Sequence, residues 1–254
     1  MTQNALLRMA GSLLAVGVFG ATLAAQTAAA TRYDNQIQTA ITQKLEKKNQ
    51  FRDLKSSTED GIVTLTGTVD LYQRKLDAAK LARKTASVQG VRDLITVAGP
   101  NVPDQQLEQQ LDRKLTFVRV GYDNMFDYFA LGVKDGVVTV KGQDRTGIGR
   151  DEALADIANM PGVKDVVSDI SVAPPSRFDE DLRLRAARAI YRDPVLSKYA
   201  IDPARPIRIV VDHGHLTLYG AVDSTMDKNV AGIRAGQVFG AFSVENKLVV
   251  EKSS

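Results

Sequence analysis

Three segments of the chain repeat one short pattern, and this repetition constrains the fold more than any other feature of the sequence. Residues 61–67 read GIVTLTG, residues 136–142 read GVVTVKG, and residues 214–220 read GHLTLYG. The repeat unit, counted from the start of one segment to the start of the next, is longer than a solenoid unit. It is long enough for a small domain with a modest core of its own. The sequence therefore predicts three tandem copies of one module.

Each repeated segment begins at the turn of a predicted β-hairpin. The turns are Asp60-Gly61, Asp135-Gly136 and His213-Gly214, and each follows one extended run and precedes another with alternating apolar residues. Glycine supplies the positive φ that a tight hairpin turn requires. Alternation in the second strand places its valines and leucines on one face and a threonine on the other. One face of each hairpin should therefore be core, and the other should face water.

Helices are predicted on both sides of each hairpin, and a strand closes each copy. The helix before the hairpin carries an apolar residue at every fourth position, in the sets Ile37, Ile41, Leu45; Leu107, Leu111, Leu115; and Leu182, Ala186, Ile190. The later helices are predicted over Leu71–Ser87, Arg150–Asn159 and Thr225–Ala235, and the closing strands over Val91–Val97, Val163–Val172 and Phe242–Val250. The first hairpin strands are predicted over Phe126–Val133 and Ile207–Val211, with a weak candidate at Leu54–Thr58.

Proline-containing segments at 99–103 and 173–176 interrupt this order, because proline prevents a helix or a strand ladder from continuing. We expect module one over residues 31–98, module two over 104–173 and module three over 177–251.

Residues 1–30 have the plan of a secretory signal peptide. Arg8 precedes an apolar stretch over Met9–Ala25, which is followed by the small residues Ala28–Ala30. The sequence contains no cysteine, which excludes disulfides and thiolate sites. We expect a bacterial protein that is periplasmic or secreted, with no transmembrane segment after the signal has been cleaved.

The repeated G-x-[VL]-T-[LV]-x-G hairpin, the helix after it and the valine-rich closing strand resemble the BON domain, the bacterial OsmY and nodulation module. The resemblance covers the chain after the signal segment. It implies an α+β fold of three αββαβ domains, each a three-stranded mixed sheet with two helices on one face. Module two departs from the pattern at Asp144, which stands where Val69 and Val222 stand in the other copies.

No combination of residues points to catalysis, a cofactor or a metal. His213 and His215 are the only histidines, and with Asp212 they fall short of the three or more converging ligands of most metal sites. Gly147 and Gly149 open a helix, but Glu152 stands where a dinucleotide-binding loop needs its third glycine. The sequence therefore predicts a binding protein rather than an enzyme.

Charge differs between the modules. Residues 31–98 contain 12 basic and 8 acidic side chains, residues 99–175 contain 8 and 12, and residues 176–254 contain 12 and 10. This balance gives no reason to expect nucleic-acid binding.

Helical spacing groups cations into three rows, which are Lys80, Arg83, Lys84; Lys44, Lys47, Lys48; and Arg185, Arg188, Arg192. Such rows suit anionic phospholipid headgroups, and they equally suit a solvated helix face with cations near its C-terminus.

Aromatic residues concentrate in module two, where Phe126 and Phe129 are candidates for contact with a neighbouring copy or a partner protein.

Two hypotheses for function follow. The first is an envelope protein that associates with anionic phospholipid and serves in envelope or osmotic stress maintenance, as the resemblance implies. The second is a periplasmic chaperone or protein-interaction scaffold of the OsmY type. The sequence leaves the oligomeric state open.

Overall fold

The structure of the chain is a computed structural model that describes residues 33–118, 125–202 and 205–251. The predicted signal segment lies outside these residues. No helix among them is both long and apolar enough to cross a membrane. The chain divides into two compact units, of which the first comprises residues up to Thr68 with Leu76–Ile95, and the second comprises Val69–Lys75 and the chain from Thr96 onward.

Each module contains the predicted helices and strands in the predicted order. In module one these are α1 (33–46), a 3-10 turn at Asn49–Phe51, β1 (Leu54–Glu59), β2 (Ile62–Val69), α2 (Tyr72–Arg83) and β3 (Gly90–Val97). In module two they are α3 (Asp104–Val118), β4 (Tyr128–Lys134), β5 (Val137–Asp144), α4 (Gly147–Ala158) and β6 (Asp165–Val172).

Module three adds a short helix and divides its strands into shorter pieces. Its elements are α5 (Arg177–Tyr191), α6 (Lys198–Ile201), β7 (Arg208–Asp212), β8 (His215–Tyr219), β9 (Ala221–Val222), α7 (Thr225–Gly236), β10 (Ser243–Asn246) and β11 (Val249–Val250).

The sheets are mixed, as the sequence predicts. In module two, β4 pairs antiparallel with β5, with Val133 opposite Val138, and β6 pairs parallel with β5, with Ser168 opposite Val140. Module three repeats this order as β7, β8 and β10, and β9 and β11 pair parallel in a separate two-stranded sheet. Module one has the order β1, β2, β3, so its weakly predicted first strand is present.

Both helices of a module pack on the same face of its sheet. The buried cluster of module two contains Leu107, Leu111 and Leu115 from α3, Val138 and Val140 from β5, and Ala153 and Ile157 from α4. Residues two apart in a strand point to one side, so the two valines fix which face is covered. Burial of each large apolar side chain contributes about 1.5–3 kcal/mol. This confirms the predicted fold class of three small α+β modules.

Some element ends differ from the predicted ones for local reasons. α2 ends at Arg83, four residues before the predicted end, and Ser87 beyond it has a φ of 66°, which a helix does not allow. The last strand of module three is broken between β10 and β11. There Asn246 Oδ1 accepts from Leu248 N at 3.2 Å, and the Asn246 amide donates to Lys228 O at 2.7 Å.

Asp144 explains the unusual start of α4. Its carboxylate is buried, and Oδ1 accepts from Thr146 N at 2.8 Å. Thr146 caps the helix by accepting from Gly149 N at 2.9 Å, so α4 begins at Gly147 rather than at the predicted Arg150. A Cβ at Gly149 would lie 2.5 Å from Asp144 Oδ1, and therefore only glycine fits beside this buried acid.

Candidate functional site

An aspartate near the start of the first helix holds the hairpin turn in every module. Asp34 accepts from Asp60 N at 2.9 Å and from Gly61 N at 2.8 Å. Asp104 accepts from the turn amides of module two at 2.7 and 3.0 Å, and Asp179 accepts from those of module three at 3.1 and 2.8 Å. One carboxylate thus satisfies two successive backbone donors at each turn.

The turn is held on its other side by the chain that enters the closing strand. Gln89, Lys164 and Phe242 each donate a backbone N–H to the turn glycine's carbonyl, at 2.8–2.9 Å. These three positions are therefore structurally equivalent. The equivalence extends to the residue two places before each, since Ser87, Gly162 and Gly240 all have positive φ. Residues can thus be compared between modules by geometry rather than by sequence pattern alone.

The two predicted basic rows of module one lie close together. Lys44 Nζ donates to Thr85 Oγ1 at 2.9 Å, which places the last turn of α1 beside the end of α2. Lys47 and Lys48 are exposed, as are Lys80, Arg83 and Lys84. We call these six cations, Lys44, Lys47, Lys48, Lys80, Arg83 and Lys84, the basic surface of module one. The C-termini of two helices meet here, and their partial negative charge favours cations at this place.

Modules two and three do not repeat the cations of α2. The residues equivalent to Lys80, Arg83 and Lys84 are Ala155, Ala158 and Asn159 in module two and Ile233, Gly236 and Gln237 in module three. In module two Lys114 is equivalent to Lys44, and its Nζ forms an ion pair with Asp156 Oδ1 at 3.4 Å. The concentration of positive charge on α2 is therefore a property of module one.

The predicted row on α5 is only partly exposed. Arg188 and Arg192 face solvent, whereas Arg185 is half-buried. A Cβ placed on Gly240 would lie 3.2 Å from Arg185 Nη2 and 3.7 Å from the Phe178 ring, so both side chains approach the backbone of Gly240. Only two of the three arginines are thus exposed.

Phe126 and Phe129, the candidates for contact with a neighbouring copy or a partner protein, both pack against cores of the protein itself, and Phe126 contacts the neighbouring copy. Phe126 is 2% exposed and belongs to the buried cluster of module three, although it precedes the first strand of module two. Phe129 packs against the cluster of module two. The predicted strand Phe126–Val133 instead begins at Tyr128, because Phe126 is turned into the neighbouring module. The two rings therefore do not form a shared exposed face.

Further contacts join modules two and three around Phe126. The rings of Tyr128 and Tyr219 stack with centroids 3.8 Å apart. Arg145 lies over the Phe126 ring at 5.5 Å and 3.7 Å from Glu180. Arg208 donates to Asp127 O at 3.3 Å. The two modules thus share an interface of aromatic and charged groups.

The two histidines are engaged by neighbours. His213 Nδ1 lies 2.6 Å from Asp212 Oδ1, and His215 Nδ1 lies 2.7 Å from Ser243 Oγ. Over 33–118, 125–202 and 205–251, no group of three or more histidine, aspartate or glutamate side chains is placed to hold a metal ion.

Sequence reasoning missed the turn-holding aspartates. In the sequence, the preference of acidic side chains for a helix N-terminus is enough to explain the presence of Asp179, Glu180 and Asp181. A signal was present, because Asp34, Asp104 and Asp179 each stand three residues before the first apolar residue of their helix stripe.

Comparisons with known proteins support the repeat. A model of the BON domain matches residues 33–99, 131–174 and 184–252. A search of curated proteins finds no match. Among solved structures, the chain is similar to CdsD, a structural protein of the type III secretion system of Chlamydia trachomatis, with 15% identity and a TM-score of 0.23 over 88% of this chain and 93% of that chain. It is also similar to the periplasmic domain of the type III secretion inner membrane protein PrgH from S. typhimurium, with 9% identity and a TM-score of 0.19 over 80% of this chain and 96% of that chain. TM-scores this low leave the family match as the guide to function.

Proposed function

The chain belongs to the BON domain family, and we propose that it is an exported bacterial envelope protein that binds anionic phospholipid. Binding uses the basic surface of module one, with Arg188 and Arg192 of module three as further contacts. The protein acts in the periplasm or outside the cell, in envelope or osmotic stress maintenance. The signal-like segment over residues 1–30 supports export.

The basic surface of module one is the observation that carries this proposal. Five of its six cations are exposed, and the sixth, Lys44, is half-buried against Thr85. Each cation near an anionic membrane surface contributes about 1 kcal/mol. The helix dipole favours cations at these two helix ends, but each end carries only about half a negative charge, far less than the six positive charges gathered there.

Vesicle co-sedimentation of residues 31–254 tests the proposal. The triple variant Lys80→Glu, Arg83→Glu and Lys84→Glu should bind anionic vesicles at least about a hundredfold more weakly, because three attractive charges are lost and then reversed. The matched control is Lys134→Glu, Lys141→Glu and Lys164→Glu, which makes the same change of net charge at exposed positions of module two.

The control should retain most of the binding, and zwitterionic vesicles should recover little of either protein. Added salt should weaken binding, because exposed charges are screened over about 8–10 Å at physiological ionic strength. Equal recovery with anionic and zwitterionic vesicles, or equal losses in both triple variants, would contradict the proposal.

A further inference from the structure

Three phenylalanines of module three are exposed; two of them stack, and the third lies three residues before one of that pair in the chain. Phe239 is 88% exposed, Phe242 is 72% exposed and Phe178 is 43% exposed. Phe178 and Phe242 stack with ring centroids 5.6 Å apart, and His215 meets Phe242 edge-on at 6.1 Å. We call Phe178, Phe239 and Phe242 the aromatic surface of module three. Single exposed apolar residues are ordinary on proteins, but neighbouring large rings mark a contact site.

The other modules do not carry this surface. Phe178 precedes the turn-holding aspartate, Phe239 precedes the positive-φ glycine, and Phe242 donates to the turn carbonyl. The equivalent residues are Tyr33, Ala86 and Gln89 in module one and Pro103, Pro161 and Lys164 in module two. Three aromatic rings at these positions are therefore not a requirement of the fold.

Local packing explains only part of the surface. The Phe242 ring covers the turn, since a Cβ on Gly214 would lie 2.6 Å from it. Phe239 makes no comparable contact, because it is 88% exposed in the loop between α7 and β10. Burial of one such ring contributes about 1.5–3 kcal/mol of favourable free energy. Transfer of two or three rings out of water would therefore strengthen binding to an apolar partner substantially.

The neighbouring charges indicate what these rings meet. Phe178 shares one face of α5 with Arg185, Arg188 and Arg192, because the spacing of seven residues returns to the same side of a helix. Asp181 is the acidic residue on that face, which leaves the arginines in excess. Aromatic rings beside arginines match the membrane–water interface, where phenylalanine rings enter the boundary between headgroups and acyl chains and guanidinium groups bind phosphate.

We infer that module three docks on the anionic bilayer with its aromatic surface inserted at the boundary between headgroups and acyl chains, while Arg188 and Arg192 bind the phosphates beside it. This inference rests on the proposed function, and it assigns the apolar part of membrane binding to a different module from the basic surface. The basic surface of module one attracts the protein to the membrane, and the aromatic surface of module three anchors it there.

A tryptophan probe tests insertion, because the chain contains no tryptophan of its own. In the Phe239→Trp variant, anionic vesicles should shift the emission to the blue, and lipids brominated on their acyl chains should quench it. The matched control is Pro161→Trp at the equivalent position of module two, whose emission should stay that of exposed tryptophan. The probe is placed at a highly exposed side chain, so it leaves the core unchanged.

A second variant measures the contribution of the Phe239 ring to affinity. Phe239→Ser should lower partitioning onto anionic vesicles by about tenfold or more, at an unchanged urea midpoint, because this side chain is 88% exposed. Ile148→Ser, at a side chain of module two that is 74% exposed, should change neither.

The outcomes separate this inference from the proposed function. If the Phe239→Trp variant co-sediments with anionic vesicles while its emission stays unshifted, insertion is overturned and phospholipid binding stays in place. Failure of the unsubstituted protein to bind any anionic vesicle overturns both. A blue shift of the Phe239→Trp variant that appears without lipid and grows with protein concentration assigns the surface to a second copy of the chain and overturns insertion.

Discussion

At the scale of single residues, the three turn-holding aspartates determine how the hairpins close. The residues before the turn glycines have φ values of 50°, 55° and 49°, which L-residues rarely adopt. Backbone strain of this kind persists only when the surroundings hold it. Each aspartate supplies two charge-assisted hydrogen bonds to the strained turn, and such bonds are roughly twice as strong as neutral ones.

Replacement of Asp179 by alanine should therefore destabilise module three by about 2–4 kcal/mol, because two backbone N–H groups lose their acceptors. Urea unfolding measures the loss. Hydrogen exchange should also speed up at the amides of His213 and Gly214 before it changes elsewhere. The exposed Asp181, two residues further along α5, provides the control, and its replacement by alanine should cost no more than about 0.5 kcal/mol.

Sequence alone indicated the glycines of these turns but not the acids that hold them. Glycine has one dominant use at such positions, so its presence between two alternating runs predicts a turn directly. An aspartate in the first turn of a helix has several uses, including capping and the helix dipole. Its partner lies more than 25 residues away in every module, so only the folded chain distinguishes these roles.

At the scale of secondary structure elements, α6 is attached to the start of α7 by a compact charged network. Tyr199 donates to Asp227 Oδ2 at 2.5 Å, and Lys198 lies 2.8 Å from Asp227 and 2.9 Å from Asp223. Burial works to raise the pKa of Asp227, but the hydrogen bonds from Lys198 and Tyr199 outweigh it and hold the pKa below its ordinary value. The hydrogen bond from Lys198 likewise lowers the pKa of Asp223.

This network should make module three sensitive to acid. A carboxyl group whose pKa is lower in the folded state stabilises that state above its unfolded pKa, about 3.9 for aspartate, and loses the effect as the pH falls through the folded value. Lys198 has a raised pKa, so its contribution is complete throughout the acidic range and is lost only at strongly alkaline pH.

The Asp227→Asn variant checks this expectation. At pH 7 it should be less stable than the unsubstituted chain by about 1–3 kcal/mol, because the amide cannot replace a carboxylate as the acceptor for both Lys198 and Tyr199. The difference should stay constant down to about pH 5 and then shrink as the pH falls further. Urea unfolding at a series of pH values measures it. A difference that grows towards acid pH would show that the carboxyl group of Asp227 is protonated in the folded protein.

Helices and strands were predictable where apolar residues recur at regular spacing. This explains which predicted elements the structure contains and which element ends were wrong. The stripes on α1, α3 and α5 identified buried faces, since all nine stripe residues are at most 6% exposed. Hydrogen bonds from side chains to the backbone set several element ends, as at Asp144 and Asn246. Periodicity contains no information about such bonds, so α4 began earlier than predicted and the last strand was broken.

At the scale of the whole molecule, the repeat pattern predicted the three modules, and the aromatic residues of module two suggested contact with a neighbouring copy without showing how that contact is made. Modules two and three belong to one compact unit, with Phe126 in the buried cluster of module three. In the sequence, Phe126 stands at the start of an alternating run, and the alternation assigns it to that strand. Only the tertiary structure shows that the ring is turned away from the module whose strand it precedes.

This arrangement predicts that one substitution between α3 and β4 weakens a module that begins some fifty residues later in the chain. Phe126→Ala should destabilise module three by about 3–5 kcal/mol, because removal of a fully buried ring leaves a cavity in a cluster that includes Leu182, Ile207 and Leu216. Hydrogen exchange resolved along the chain measures the effect, with the largest increase expected in β7 and β8.

A companion variant separates the two modules. Leu111→Ala removes a fully buried side chain from the cluster of module two, so its exchange increase should centre on α3, β5 and α4. Amides of module one, most of which belongs to the other compact unit, provide the reference in both experiments. If Phe126→Ala increased exchange only within module two, the ring would not stabilise module three. An increase centred on β7 and β8 would establish that a residue outside module three stabilises it, so that the aromatic surface of module three depends on the segment that precedes β4.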